Sequence, residues 1–294
     1  MELSEYQREA QKTDQLPAGD ANDLIVPLLG MAGEVGSLLV EYKKFLRDGD
    51  AHLLFPDHVA EELGDVLWYL ANTASKFELD LDVIGRANLD KTRDRWPTGD
   101  SDSAYGLFDT KFPEAEQLPR SFTAEIRDAP SNSGRGRIVM TIDGVLAGDP
   151  LQDNAYDDDG YRFHDVFHLA HAAKLGWSPV LRGKLLNPKR KRASKPLIDE
   201  VEDGGRAIVI DEAIVAYVWE YARRHRFLEG ITTVDYPVLK TIRMLTGGLE
   251  VSARTAHEWE EAILAGYAIF REIRGHGGGR IAVDLEARSI QVVD

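Results

Sequence analysis

The chain has 294 residues, 43% hydrophobic and 29% charged; that is enough for a sizeable core and, at roughly 100–200 residues per domain, for two domains. It has no cysteine, which excludes disulfides, thiolate metal sites and cysteine nucleophiles and leaves any metal to carboxylates and histidines. The formal charge of −15 makes a nucleic acid partner unexpected without a local basic patch, whereas a small polyanion held through a divalent metal meets no such obstacle.

The opening MELSEYQREAQK has no signal-peptide core, and no run approaches the roughly 18 consecutive apolar residues that span a bilayer, so a cytoplasmic protein without membrane contact is expected. Residues 3–15 read as a helix with Ser4 as cap. A second helix runs from Ala21 to about Asp48, where Arg47-Asp48-Gly49-Asp50 ends it. A third covers Asp57 to Phe77, and a fourth runs from Leu81 to Trp96-Pro97, where proline disfavours helix in its predecessor. Short loops between four helices predict an all-α four-helix bundle over 1–97. Residues 98–119, rich in Gly, Ser, Asp and Pro, read as a linker.

An α+β domain is expected over 120–294, making the chain mainly α overall. Two β-prone runs, Phe122–Arg127 and Arg137–Ile142, flank Pro130-Ser131-Asn132-Ser133-Gly134 as a hairpin, and Asp143-Gly144 ends the second run. Helices follow at Phe163–Leu175, Ile208–Arg224, Tyr236–Leu245 and Ala253–Arg274, and Arg280–Leu285 and Ser289–Val293 form a last strand pair.

In Gly33-Glu34-Val35-Gly36-Ser37-Leu38-Leu39-Val40-Glu41, positions 34, 37 and 41 share one helical face. On the next helix, Glu62 and Asp65 of Glu61-Glu62-Leu63-Gly64-Asp65 are again three apart. Antiparallel packing with these faces inward would make three or four carboxylates converge, and their repulsion calls for a cation, Mg2+ by preference. The plainer alternative is a solvated acidic face. Against it, these acids alternate with Gly and large apolar residues rather than lysines.

Met31-Ala32-Gly33-Glu34-Val35-Gly36, Lys43-Lys44, Ala60-Glu61-Glu62-Leu63-Gly64-Asp65-Val66-Leu67-Trp68-Tyr69-Leu70 and Ala87-Asn88-Leu89-Asp90-Lys91-Thr92-Arg93, in that order, resemble the MazG-like nucleotide pyrophosphohydrolase family over about a third of the chain. The family pattern is two Glu spaced by three, then a Glu and an Asp spaced by three, which bind catalytic magnesium. Glu34, Glu62 and Asp65 match its first, third and fourth acids. The second falls on Ser37, a departure for which Glu41, one turn further along, could compensate. The resemblance implies hydrolysis of an NTP or dNTP between its α- and β-phosphates, with Mg2+ or, in its stead, Mn2+ held by Glu34, Glu41, Glu62 and Asp65. Glu61 or one of the clustered acids would take the water's proton. Lys44, Asn88, Lys91 and Arg95 would face the phosphate chain, and a homo-oligomer, a dimer or higher, is implied.

In the second half, His164, His168 and His171 fall at i, i+4 and i+7 and share a helical face. Two readings stand. One is a transition-metal site with Glu212 or Glu220 as carboxylate partner. The other is a set of packing histidines, contacting the acidic Asp157-Asp158-Asp159 loop. Lys189-Arg190-Lys191-Arg192 reads as a solvated loop, Gly275-His276-Gly277-Gly278-Gly279 as a turn without P-loop flanks, and Trp219 and Trp259 as core. This half is similar to C-terminal extensions of some MazG-like proteins, which brings no settled activity. Beside the hydrolase, two other functions stay open: a degenerate nucleotide-binding module, and a histidine-metal enzyme with the helices as its dimerisation element.

Overall fold

Apolar residues at helical spacing fill the N-terminal third, and four helices form there: α1 (Leu3–Gln11), α2 (Ile25–Asp48), α3 (Phe55–Lys76) and α4 (Leu81–Arg95). The computed structural model describes residues 1–15, 23–97, 106–130, 136–153, 155–186, 191 and 202–294. Within it the chain divides into two units, Met1–Arg93 and Asp94–Asp294.

In the first unit α2 packs along α3, to which a short turn joins it, and α1 lies on α3. The small core is Ala10, Ala71, Ala74 and Leu81, flanked by Tyr6 and Trp68. Polar side chains seat α1: Gln7 donates to the Leu79 carbonyl at 2.8 Å and accepts from the Leu81 N–H at 2.9 Å. Trp68 donates to the Thr13 hydroxyl at 2.7 Å. Ser4 is not the cap expected of it, since Glu2 holds that position, and the Ser4 N–H bonds Asp82 at 3.3 Å.

The expected four-helix bundle does not form. Among the described residues α4 shares no broad interface with α1, α2 or α3, because its few large apolar side chains give no continuous stripe and Val83, Ile84 and Leu89 are exposed. Leu29, Leu39, Leu46 and Leu63 are also more than half exposed. The segment Ile25–Ala51 is apolar and long enough, by length and composition alone, to cross a membrane, although Glu34 and Glu41 interrupt its apolar run.

The second unit is built on an antiparallel sheet of β1 (Ser121–Asp128), β2 (Arg137–Ile142), β3 (Val145–Gln152), β4 (Gly279–Asp284) and β5 (Ser289–Val293), in the order β3-β2-β1-β4-β5. Its helices are α5 (Asp165–Leu175), α6 (Gly205–Arg223), α7 (Tyr236–Thr246) and α8 (Ala256–His276). Alternation buries Phe122, Ala124 and Ile126 of β1 with Ile138, Met140 and Ile142 of β2. The register pairs Ala124 with Ile142 and Ile126 with Met140, so one face of the sheet is apolar. α5 and α8 pack against this sheet and against each other. α5 is buried on every side, which its Ala-rich sequence permits. Gly266 of α8 allows the close approach, since a Cβ there would stand 3.1 Å from Phe167.

Asp143-Gly144 ends β2, as expected, and leads into a further strand. Both residues have positive φ, 48° and 80°, the condition for a tight two-residue turn, and the chain doubles back into β3. The segment read as a linker is also, over 106–119, part of this unit. Asp109 is buried and accepts from the Leu118 N–H and Arg120 at 2.7 Å and from Arg182 at 2.9 Å. The Gly-rich run is the turn from α8 into β4: Gly277 is left-handed, and a Cβ on Gly278 would lie 2.5 Å from the Ile126 carbonyl oxygen. Trp219 and Trp259 are core residues.

Candidate functional site

The antiparallel pairing of α2 and α3 brings Glu34 against Glu62, with Glu61 and Asp65 near enough for their charges to act on Glu62. The Glu62 carboxyl is pushed above its ordinary range, first by loss of water and then by the charges of Glu34, Glu61 and Asp65, with a hydrogen bond shared with Glu34. Glu34 and Glu62 are half-buried, Glu61 and Asp65 exposed. Oxygen donors, crowded like charges and access from solvent are what a hard divalent cation could use, but among the described residues no three of these acids bring a ligand atom each within 4.8 Å of one another.

Glu41, considered as the missing acid, is engaged elsewhere. It is buried, pairs with Lys44, and meets His52 Nε2 at 3.0 Å and His58 Nδ1 at 2.9 Å. The hydrogen bonds from Lys44 and His58 draw its pKa down to about 2. Seven residues on, it stands roughly 10 Å along the helix from Glu34. Lys44 is thereby committed to Glu41. Asn88 and Lys91 are exposed on α4. Arg95 donates to the Val234 carbonyl at 3.0 Å and stacks on Trp96 and Tyr236, so it is spent in the second unit.

In that unit the three histidines of the shared face divide. His164 opens α5. Its Nδ1 lies 2.9 Å from the Tyr161 carbonyl, which accepts its proton, and its ring stacks on Tyr161; this tautomer leaves Nε2 with a lone pair. That Nε2 lies 3.6 Å from Asp165 and 3.9 Å from Glu212. His168 is fully buried, with Nδ1 3.1 Å from Asp211 and Nε2 3.4 Å from Glu212. Neither contact is aligned as a hydrogen bond. Burial by itself would lower the His168 pKa, but Asp211 and then Glu212 outweigh it and hold the ring protonated to about 10. His171 turns inward, donating from Nδ1 to Asp211 at 2.8 Å beside Trp259.

Sequence reasoning missed Asp211, the hub of this arrangement. It is wholly buried and also accepts from the Ser178 hydroxyl at 2.8 Å and the Val180 N–H at 3.3 Å. The signal was an acid on the same helical face as Ala207, Ile214 and Val215, within the otherwise apolar stretch that Asp211-Glu212 interrupts. Asp165, also missed, shares with His164 and Glu212 the rim of a cleft of about 610 Å³ whose other wall includes Leu146, Gly148 and Asp149 of β3. Glu220, the alternative partner, pairs instead with Arg223 on the surface. The acidic loop serves Arg162, which meets Asp158 at 2.6 Å, and not the histidines. Of the basic run, Lys191 is buried and pairs with Glu250; Lys189, Arg190 and Arg192 lie outside the described residues.

Residues 103–294 match the family described as the MazG C-terminal domain. The match falls on the second unit, whereas the motifs that carried the resemblance lie on the first. Gene 37 protein of Mycobacterium phage L5 is 34% identical over 105 residues, covering 34% of this chain and 92% of that protein. No solved structure matches the chain.

Proposed function

The chain belongs to the MazG C-terminal domain family, and from that premise we propose that it is a nucleotide pyrophosphohydrolase whose first unit hydrolyses NTPs or dNTPs between the α- and β-phosphates. The observation that carries this reading is Glu62 set against Glu34 with Glu61 and Asp65 beside them, acids that together raise the proton affinity of Glu62. Glu34, Glu62 and Asp65 would hold Mg2+, with Mn2+ as a substitute. When bound, the metal neutralises phosphate oxygens and acidifies the attacking water. Glu61, exposed beside Glu62, is placed to take that water's proton. Asn88 and Lys91, exposed on α4, suit the phosphate chain, while Lys44 and Arg95 have structural duties instead. The purified chain with Mg2+ and a panel of NTPs and dNTPs should release monophosphate and pyrophosphate; no turnover of any nucleotide would defeat the proposal.

Ser37 favours a second reading, nucleotide binding with weakened turnover, because it removes one charge from the cluster. Ser37→Glu tests the difference. If the catalytic reading holds, restoring the acid lowers the Mg2+ concentration for half-maximal rate by roughly tenfold, since ligand charge sets affinity. An unchanged Mg2+ titration would mean position 37 does not face the ion.

The exposed Leu29, Leu39, Leu46 and Leu63 call for a cover. We place a second copy of this chain there rather than a lipid phase, because Glu34, Glu61, Glu62 and Asp65 lie on the same two helices and would be carried into the bilayer with them. Light scattering should give the mass of at least two chains, and Leu39→Glu with Leu46→Glu should reduce it to one. A triphosphate substrate sets the protein in the cytoplasm, and its charge sets it apart from nucleic acid.

A further inference from the structure

We propose that His164, His168 and Glu212 hold a divalent transition-metal ion at the rim of the β3 cleft, with Asp211 fixing His168 from behind. One ligand atom from each of His164, His168 and Glu212 lies within 4.8 Å of the other two, and it is the Nε2 atoms of both histidines that face the Glu212 carboxylate. The two contacts to Glu212 are 3.4 Å and 3.9 Å. Bonds of about 2.0–2.2 Å in a tetrahedral site separate neighbouring ligands by roughly 3.3–3.6 Å, so both histidines already stand from Glu212 at close to the spacing a metal imposes.

The protons lead to the same conclusion. His164 gives its Nδ1 proton to the Tyr161 carbonyl, and Asp211, an acceptor only, faces His168 Nδ1. An ion taking the place of the Nε2 proton of His168 would meet the lone pairs of both Nε2 atoms beside Glu212. A proton would bridge His168 and Glu212 as an aligned hydrogen bond, yet neither nitrogen of the fully buried His168 makes one, and buried polar atoms are rarely left so. An ion there would give the buried His168 Nε2 the partner it lacks.

Two imidazoles and a carboxylate suit Zn2+, Co2+ or Mn2+ better than Mg2+. Asp211 supplies the outer support such sites need, bonded as it is to His171, Ser178 and Val180. Because His164, Asp165 and Glu212 line an open cleft, the remaining coordination position faces solvent, the property of a reactive site rather than a structural one. Of the other two groupings of this kind among the described residues, Glu41 with His52 and His58 is bonded to Lys44, and His168 with His171 and Asp211 is wholly buried, with no open side for a ligand.

The test uses the full chain carrying Glu62→Gln, which weakens the acidic cluster of the first unit so that bound metal reports the second. After chelator treatment it is equilibrated with Zn2+ or Co2+, desalted and assayed by mass spectrometry, with the visible bands of Co2+ as a signature of imidazole ligation. One retained equivalent is expected. His164→Ala and Glu212→Gln, both at the rim and so compatible with folding, should each weaken retention at least tenfold and bleach the Co2+ bands with the circular dichroism unchanged. The proposal is overturned if the folded chain retains no ion, or if His164→Ala combined with Glu212→Gln retains as much as the parent.

Discussion

Glu62→Gln is expected to lower the rate of NTP pyrophosphohydrolysis by at least about 100-fold, the scale on which loss of one electrostatic contributor to a transition state is felt. Circular dichroism should not change. Of the clustered acids, Glu62 is the one that the others act upon: Glu34 shares a hydrogen bond with it, and Glu61 and Asp65 add repulsion. The amide keeps the shape, loses the charge, and relieves the repulsion. Gln is therefore neutral or stabilising for the fold while it removes a charged oxygen from the proposed ion. The raised proton affinity of Glu62 adds a pH signature. Protons compete with Mg2+ at a pH where an isolated Glu is already ionised, so at low Mg2+ the parent's activity falls as pH decreases, and excess Mg2+ moves that fall to lower pH. Equal rates for parent and variant across nucleotides would remove the acidic cluster from the chemistry.

The two halves differ in how much of them the sequence exposed. Glu62 and Asp65 stand three residues apart on α3 and Glu34 on α2, so the meeting of Glu34 with Glu62 could be read from spacing together with the short turn between α2 and α3. The misassigned bundle came from assuming that every helix finds a partner within the chain. α4 has too few apolar residues for that, and the exposed leucines of α2 and α3 face outwards. In the second unit, β3 was hidden by Gly148 and Pro150, which read as loop, and by Asp143-Gly144, which reads equally as an end and as a turn. The 106–119 segment was misread because what orders it is remote. Asp109 is held partly by Arg182, 73 residues away, and no local pattern records that bond. For the same reason the histidines were legible and Asp211 was not: His164, His168 and His171 advertise one helix face, whereas their anchor lies 40 residues beyond His171.

Asp211→Ala should cost the second unit about 3–5 kcal/mol, the range for removing one partner from a buried charge pair, and should be measurable by urea unfolding. A single carboxylate there receives His171 from α5 and Ser178 and Val180 from the turn after it, lies 3.1 Å from His168, and itself belongs to α6. Its loss leaves the His171 imidazole, a hydroxyl and an N–H without their acceptor, each a desolvated donor, and the buried His168 without its nearest counter-charge. Asp211→Asn keeps the volume but turns two donors towards donors, so it should recover little of the loss. Trp177 and Trp259, in the same core and edge-on to each other, make tryptophan fluorescence a local probe. Burial would raise the Asp211 pKa, but His168 and His171 hold it well below the ordinary carboxylate range. A depressed carboxylate contributes stability that is present above its unfolded pKa near 4 and is lost as pH falls below it. The parent's stability should therefore drop from pH 4 downwards more steeply than that of Asp211→Ala, and the two curves should converge in acid. Parallel curves would mean that the carboxylate is not charged in the fold, and the alignment of both histidines, and with it the proposed metal ligation by His168, would need another cause.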